Sequence, residues 1–198
     1  MYIVGGGGHG SEVADLAHRC GVEVAGVVDD RPVDPERFAG RGLPVLGTTE
    51  DLPVDARFTF GVAAPDVRQK LAPRVPCPPA DALIDPTAVV SPTATIGAGT
   101  QVFWLASVSP LCRLGTHVLI GHGAAIGHDA VLQDLVTVMP GARVSGDVTV
   151  GEGATIGSGA VILRGLRIGA HARIGAGAVV TQPVEPGGTV MGPQHRSH

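Results

Sequence analysis

Ile120-Gly121-His122-Gly123-Ala124-Ala125-Ile126-Gly127-His128-Asp129-Ala130-Val131-Leu132 carries the organisation of the whole chain: an aliphatic residue at Ile120, Ile126 and Leu132, an alanine two positions before the second and third, and a glycine directly after the first two. Worked outward in both directions, the six-residue interval holds from Ile84 to Val180, seventeen aliphatic positions without a break. A helix turns residues six apart to different sides, whereas a chain bent into short strands, three to a coil, returns every sixth side chain to one axis. The period therefore predicts a parallel β-helix of about five to six coils. Alanine stands two residues before the aliphatic position at eleven places, beginning with Ala82, Ala88 and Ala94, and Thr100 and Cys112 are close substitutes. Small and aliphatic side chains together fill a narrow prism. The glycines that follow the aliphatic residue (Gly97, Gly115, Gly121, Gly127, Gly151, Gly157, Gly169 and Gly175) suit a corner that needs positive φ. Each coil buries its interior only against its neighbours, so such a rod needs caps at both ends and keeps its sides free for partners.

Composition follows from that core. Of the 198 residues 44% are apolar, an ordinary share, but only 3% are aromatic and 30 are glycine, as a prism too thin for large rings requires. A formal net charge of −4 offers no basic field, so neither nucleic acid nor an acidic membrane is an expected partner. Met1 to Gly5 runs straight into glycine, and no apolar run approaches the roughly 18 residues of a membrane span, so the chain reads as soluble and cytoplasmic. Cys20, Cys77 and Cys112 are odd in number and lack metal-type spacing, which predicts free thiols, with Cys112 filling a core slot.

The residues ahead of the rod read differently. Tyr2 to Val4 is β-prone, Gly5 to Gly10 is a glycine turn broken by His9, and Val13, Leu16, Ala17 and Cys20 recur at helical spacing. Val24 to Val28, ending in Asp29-Asp30, and Phe58 to Gly61 read as further strands, with a helix near Val67 to Leu71. These elements assemble most simply as a small parallel α/β sheet. Val75-Pro76-Cys77-Pro78-Pro79 suits neither helix nor sheet and reads as a linker, dividing the chain into an α/β domain at 1–80 and a rod at 81–198. A glycine turn at a helix start favours phosphate. Gly5-x-Gly7-x-x-Gly10 with Asp29 formally matches a dinucleotide fingerprint, but about 80 residues make only half of that fold, which argues against NAD. The same glycines would equally serve a turn that only packs tightly.

Of eight histidines, His18, His171, His195 and His198 read as surface residues. His128 falls at a coil corner beside Asp129, where the alternation of a straight strand breaks and both side chains can point the same way. The carboxylate could then hold one ring nitrogen, fix the tautomer and leave the other nitrogen basic.

Taken together, Gly5 to Gly10 in the pattern G-x-x-G-H-G, Asp29-Asp30, Gly61, the uninterrupted hexads and His128-Asp129 resemble the hexapeptide-repeat family that contains sialic acid O-acetyltransferases and N-acetyltransferases of nucleotide-linked amino sugars. The resemblance spans nearly the whole chain. It implies a left-handed hand for the coil, a Rossmann-like N-terminal domain that binds the nucleotide sugar through Gly7, Gly8, His9, Asp29, Asp30 and Gly61, and a homotrimer with acetyl-CoA in the groove between rods. It implies His128 as general base with Asp129 orienting it, direct transfer without an acyl-enzyme, and contacts to acetyl-CoA from Gly146, Ser158 and Ala176. No metal is expected. The family position nine residues after the base often carries a second histidine near the thioester; Thr137 stands there, able to donate one hydrogen bond but not to become cationic. Gly127 also stands where some relatives have an acid, and Pro186 to Pro193 resembles the family's closing turn before the chain diverges at Gln194. Exposed Val118, Leu119 and Leu135 are the expected apolar area for trimer contacts.

Other classes are weighed by what they require. A zinc hydratase needs three protein ligands, which His117, His122 and His128 could supply, but no histidine lies between His18 and His117 to provide the distant one that fold-mate uses. A scaffold or ice-binding rod should repeat one outward residue, and the outward positions are mixed. O-acetylation of a sugar such as sialic acid, or a nucleotide-sugar sensor without catalysis, remains an alternative.

Overall fold

The computed structural model describes residues 1–192. The closing residues from Pro193, including His195 and His198, lie outside them. The N-terminal part is a three-stranded parallel sheet in the order β2-β1-β3, with β1 (Tyr2–Val4) between β2 (Gly26–Val28) and β3 (Phe58–Phe60). Helix α1 (Gly8–Arg19) turns Val13, Leu16 and Ala17 into the core, as their spacing predicts. Helices α2 (Glu36–Ala39) and α3 (Pro65–Leu71) complete the unit, α3 starting on a proline that needs no intrahelical donor.

The remainder is a left-handed parallel β-helix. Two-residue strands from Leu83–Ile84 to Val179–Val180, joined by Thr189–Val190, stack into sheets of seven, six and five strands, the three faces of a prism. Register repeats every eighteen residues on the first face, where Leu83 pairs with Gln101, Gln101 with Leu119 and Leu119 with Thr137. Only the last coil is two residues shorter, Arg173 pairing with Thr189. The sixth-residue positions from Val102 onward are buried along the axis, among them Ile120, Ile126, Leu132, Ile156 and Ile162. Each such side chain contributes about 1.5–3 kcal/mol by leaving water. Cys112 fills its slot in that column, its thiol donating to the Gly127 carbonyl at 3.0 Å.

Three expectations need correction. The glycines that follow the aliphatic residue do not carry positive φ; that conformation falls two residues later, at Gly99, Gly123, Gly141, Gly153 and Gly177, and at Leu105, His117, Asp129 and Asp147 on other corners. The glycines before the corner are required by the coil beneath them instead: a Cβ on Gly157 would lie 2.6 Å from the Ala176 nitrogen, and one on Gly121 would lie 2.7 Å from that of Pro140. Close approach, not torsion, selects glycine there. Second, Val118, Leu119 and Leu135 are buried rather than exposed. Val118 points into the prism, and Leu119 joins Leu83, Phe103, Ile3, Leu16 and Phe38 in the cluster that seals the first face of the rod against the N-terminal domain. The exposed apolar residues are instead Val89, Leu105, Leu111 and Val179, along the other faces and corners. Third, Val75 to Pro79 is not a free linker. Pro79 bridges to Phe58, the Phe58 N–H donating to the Pro78 carbonyl at 3.3 Å and the Ala80 N–H to the Phe58 carbonyl at 2.7 Å, so the segment fastens to the edge of β3 through a proline carbonyl and the first donor beyond the prolines.

The domains are tied by polar contacts as well. Arg19 of α1 pairs with the buried carboxylate of Asp85, which also accepts the Thr87 N–H and is held far below its ordinary range, first by the arginine. Among the described residues no helix is long and apolar enough to cross a membrane.

Candidate active site

His128 leaves the strand Ala125–Ile126 at the corner between the second and third faces. Asp129 follows with φ of 60°, a left-handed turn anchored by its N–H donating to the Pro110 carbonyl at 3.0 Å. That turn brings the neighbouring side chains together: His128 Nδ1 lies 2.7 Å from Asp129 Oδ2. The carboxylate makes Nδ1 the protonated nitrogen, leaving a lone pair on Nε2. Both side chains are about half exposed, 50% and 46%, so the ring looks outward from the rod edge. One coil on, Gly146 floors the imidazole, since a Cβ there would lie 2.6 Å from Nε2. Asp147 beside it is held by Arg164 at 2.7 Å. Ligand atoms of His128, Asp129 and Asp147 lie within 4.8 Å of one another, but Arg164 and the imidazole already engage the carboxylates. His117 and His122 leave the rod at its two other corners, so the three histidines do not converge within one chain.

The glycine turn lies apart from this corner, at the start of α1. Gly7 caps α1 in an extended conformation, with no side chain capping the helix N–H groups, and Gly8 opens the helix. Asp29 is desolvated, yet the N–H groups of Gly6 at 2.8 Å and Arg31 at 2.9 Å hold its carboxyl below the usual range. Asp30 accepts the Thr49 N–H at 3.0 Å and Arg74 at 2.6 Å, and these bonds likewise depress it. Gly7 and Asp29 border a cavity of about 390 Å³ with Arg31 and Arg37; Asp29 and Asp30 border another of about 280 Å³ with Gly5, Thr49 and Lys70. Gly61 serves close packing, because a Cβ on it would strike the Gly5 carbonyl, as would one on Gly10. His9 lies between domains, Nδ1 at 3.0 Å from Glu12 and Nε2 at 3.3 Å from the Gln101 side chain of the rod, and its burial lowers its pKa.

Two bridging residues escape the sequence reading. Gln101 donates to Thr59 Oγ1 at 2.8 Å and the Phe60 carbonyl at 2.6 Å; as a lone polar residue on an outward hexad position it gave no sign of a partner. Arg68 of α3 is 2% exposed and donates to the Ala63 carbonyl at 2.6 Å, the Leu135 carbonyl at 2.7 Å and Thr137 Oγ1 at 2.9 Å. Desolvation lowers its pKa to about 10. Thr137 spends its own proton on the Ala63 carbonyl at 2.9 Å, so the donor expected to face a thioester is engaged in joining the domains.

His117 is enclosed at the same interface, its ring 4.8 Å from that of Phe60 and 5.5 Å from that of Phe58, with Nδ1 unpartnered among the described residues. Burial, then the nearby Arg68 cation, lowers its pKa to about 4. The unfolded chain, with a value near 6.5, binds more protons between these limits, so stability is full above about pH 6.5 and falls towards pH 4. His117→Asn, which tolerates the positive φ, should flatten this loss by about 2 kcal/mol, screening by solvent included, in thermal unfolding followed from pH 7 to pH 4.

The residues expected to touch acetyl-CoA do not share one edge. Gly146 stands with His128 between the second and third faces, Ser158 and Ala176 stand between the first and second, and Thr137 lies on the first face under the N-terminal domain. His171 borders a cavity of about 380 Å³ with Thr137, Thr155 and Arg173, whereas His18 is exposed on α1.

The same architecture recurs in known proteins. Residues 1–75 match the PglD N-terminal domain, and residues 129–164 and 147–182 match the bacterial transferase hexapeptide repeat. The structure superposes on PerB from Caulobacter crescentus, solved with CoA and GDP-perosamine, at a TM-score of 0.87 and 31% identity over 96% of this chain and 93% of that one. It superposes equally on the acetyltransferase domain of PglB from Neisseria gonorrhoeae FA1090 in complex with acetyl coenzyme A, at a TM-score of 0.86 and 33% identity over 96% and 95%. The chain is a hexapeptide-repeat acetyltransferase. The UDP-N-acetylbacillosamine N-acetyltransferase of Bacillus subtilis (strain 168) is 35% identical to this acetyltransferase over 107 residues, a match that spans half of the chain and 49% of that relative.

Proposed function

We propose that this acetyltransferase moves the acetyl group of acetyl-CoA directly onto the amino group of a nucleotide-linked amino sugar, with His128 as general base. The observation that carries this reading is the 2.7 Å His128–Asp129 pair, exposed at the rod edge above Gly146. The amine attacks the thioester carbonyl as Nε2 takes its proton, the Asp129 carboxylate holding the imidazolium that forms. The tetrahedral oxyanion is met by backbone N–H, for which Gly146 is the proposed donor. Collapse then breaks the C–S bond, and the imidazolium returns the proton to the departing thiolate. No atom is left over and no covalent acyl-enzyme is needed.

The acceptor's nucleoside diphosphate is assigned to the turn of Gly7 and Gly8 with Asp29 and Asp30, where uncapped helix N–H groups favour phosphate. Relatives named for N-acetylation, a UDP-N-acetylbacillosamine N-acetyltransferase and a GDP-perosamine N-acetyl transferase, favour an amine over a hydroxyl. Residues 1–80 are the proposed acceptor domain and 81–198 the acetyl-transfer domain. Because Gly146 and the pair Ser158 and Ala176 lie on different edges of one prism, acetyl-CoA can touch all three only between two rods side by side. A closed threefold ring supplies three such grooves and buries exposed residues such as Val89 and Leu105.

The test is release of CoA thiol from acetyl-CoA with a panel of UDP-, GDP- and CMP-linked sugars carrying amino or hydroxyl groups. Turnover confined to amino sugars is expected. Turnover on hydroxyl acceptors alone would replace N- by O-acetylation, and none at all, with binding retained, would make the protein a sensor.

A further inference from the structure

The edge that carries His128 continues upward for two more coils, and the residues standing there are charged. Successive coils place Asp129, Asp147 and Gly165 at its left-handed corner position, with φ of 60°, 59° and 76°. Among the described residues the left-handed corners of the other two edges hold glycine, leucine and histidine, so both aspartates that adopt this conformation stand beside the base, one above the other. The coils are stitched together at the same place. The Asp147 N–H donates to the His128 carbonyl at 2.9 Å, and the Gly165 N–H to the Gly146 carbonyl at 3.0 Å. Arg164 reaches back one coil and donates through Nε at 2.7 Å and through Nη2, both to Asp147 Oδ2.

Charge explains why the aspartate needs the arginine. Ligand atoms of His128, Asp129 and Asp147 lie within 4.8 Å of one another. Two bare carboxylates so close repel each other, and both draw a proton onto the imidazole. Arg164 cancels the second charge, so Asp129 keeps its hold on Nδ1 as the one free counter-ion. The coil below offers Ser109, Pro110 and Leu111 at this edge, none of them charged. On the flanking strands of the coils directly below and above, the charged residues are Arg113 on the third face and Arg143 on the second. An exposed ion pair adds little to folding, so its effect is to be sought in the chemistry.

We propose that Asp147 and Arg164 are positioning residues of the transfer reaction, a balanced ion pair that holds the corner above His128 and leaves Asp129 as the single uncompensated partner of its imidazole. The assignment rests on the general-base reading given above. Gly146 directly precedes Asp147, so the same grip steadies the glycine proposed to meet the oxyanion, which has no side chain of its own to hold it.

The experiment follows the His128 ring by NMR between about pH 5 and pH 9 in intact protein labelled at histidine, the signal being assigned by its loss in His128→Gln. The wild type, Arg164→Gln, Asp147→Asn, their double variant and Arg164→Lys are compared, alongside kcat/KM for one nucleotide-linked amino sugar. Removing the arginine leaves a bare carboxylate, so the midpoint should rise by about half a pH unit; removing the carboxylate leaves a bare cation, so it should fall by about as much. In the double variant and in Arg164→Lys charge is balanced again, and the midpoint should return to within about 0.2 unit of wild type. The acid limb of kcat/KM should follow each midpoint, since the ionisation of the acceptor amine is common to all five proteins. Asparagine tolerates the left-handed φ and both side chains are exposed, and if one single variant fails to fold the other still carries a signed shift. A pair that merely braced the corner would move both single variants the same way or neither. Either result overturns the proposal, as does a rate profile that ignores the midpoints. Full acetyl transfer by His128→Gln overturns the base reading and the role of the pair together, whereas transfer that depends on His128 with unmoved midpoints overturns the pair alone.

Discussion

His128→Gln is expected to lower the rate of acetyl transfer by about 10²–10⁴-fold, the usual contribution of a positioned general base, while KM for both substrates stays within about threefold. Glutamine matches the ring in reach but has no basic nitrogen, and the side chain is half exposed, so the substitution removes proton transfer without opening a cavity. Asp129→Asn is the sharper test of the pair. Asparagine tolerates the left-handed φ of 60°, so the corner survives, but the carboxylate that fixes the Nδ1 proton and stabilises the imidazolium is gone. A loss of about tenfold or more is expected from Asp129→Asn, and it should vanish in the His128→Gln background because the two residues act as a unit. Steady-state kinetics of the two single variants and the double variant check this. Independent, multiplicative losses would remove Asp129 from the mechanism, and full activity in His128→Gln would remove the base altogether.

Why the pair was legible while its surroundings were not follows from what a six-residue period encodes. It states which side chains face the axis, so Ile120, Ile126 and Leu132 could be placed inside, and it puts His128 and Asp129 on a corner. It is silent about the outer faces, because which face is covered depends on a domain docking from far away in sequence. Leu119 and Leu135, read as exposed, are covered by that docking, and Leu105 and Leu111 remain outside. The glycines show a similar limit: their positions were evident, but contact with the next coil, as between Gly127 and Gly146, is a tertiary fact. Arg68 and Gln101 act only across the domain interface, and no local spacing announces a partner so distant in the chain.

Arg68→Met should destabilise the folded protein by about 3 kcal/mol or more, and the balance of terms is instructive. The guanidinium is buried without a carboxylate partner among the described residues, and the lowering of its pKa to about 10 by desolvation means that burying the charge costs about 3 kcal/mol. Methionine would relieve that cost. Against it stand four charge-assisted bonds, to the carbonyls of Val62, Ala63 and Leu135 and to Thr137 Oγ1, each worth about 1.5–3 kcal/mol. Even at the lower bound these sum to about 6 kcal/mol, so the bonds win. Lysine keeps the charge but concentrates its donors at one point, unable to span Ala63 and Leu135 together, and should fall between wild type and methionine. Urea unfolding followed by Trp104 fluorescence ranks the three proteins, and a methionine variant as stable as wild type would mean that the bonds only offset charge burial. Function should follow the same ranking on one substrate. The loop that Arg68 fastens, Val62 to Ala64, borders the cavity at Asp29 and Asp30 assigned to the nucleotide, so KM for the acceptor should rise more than kcat falls in both variants.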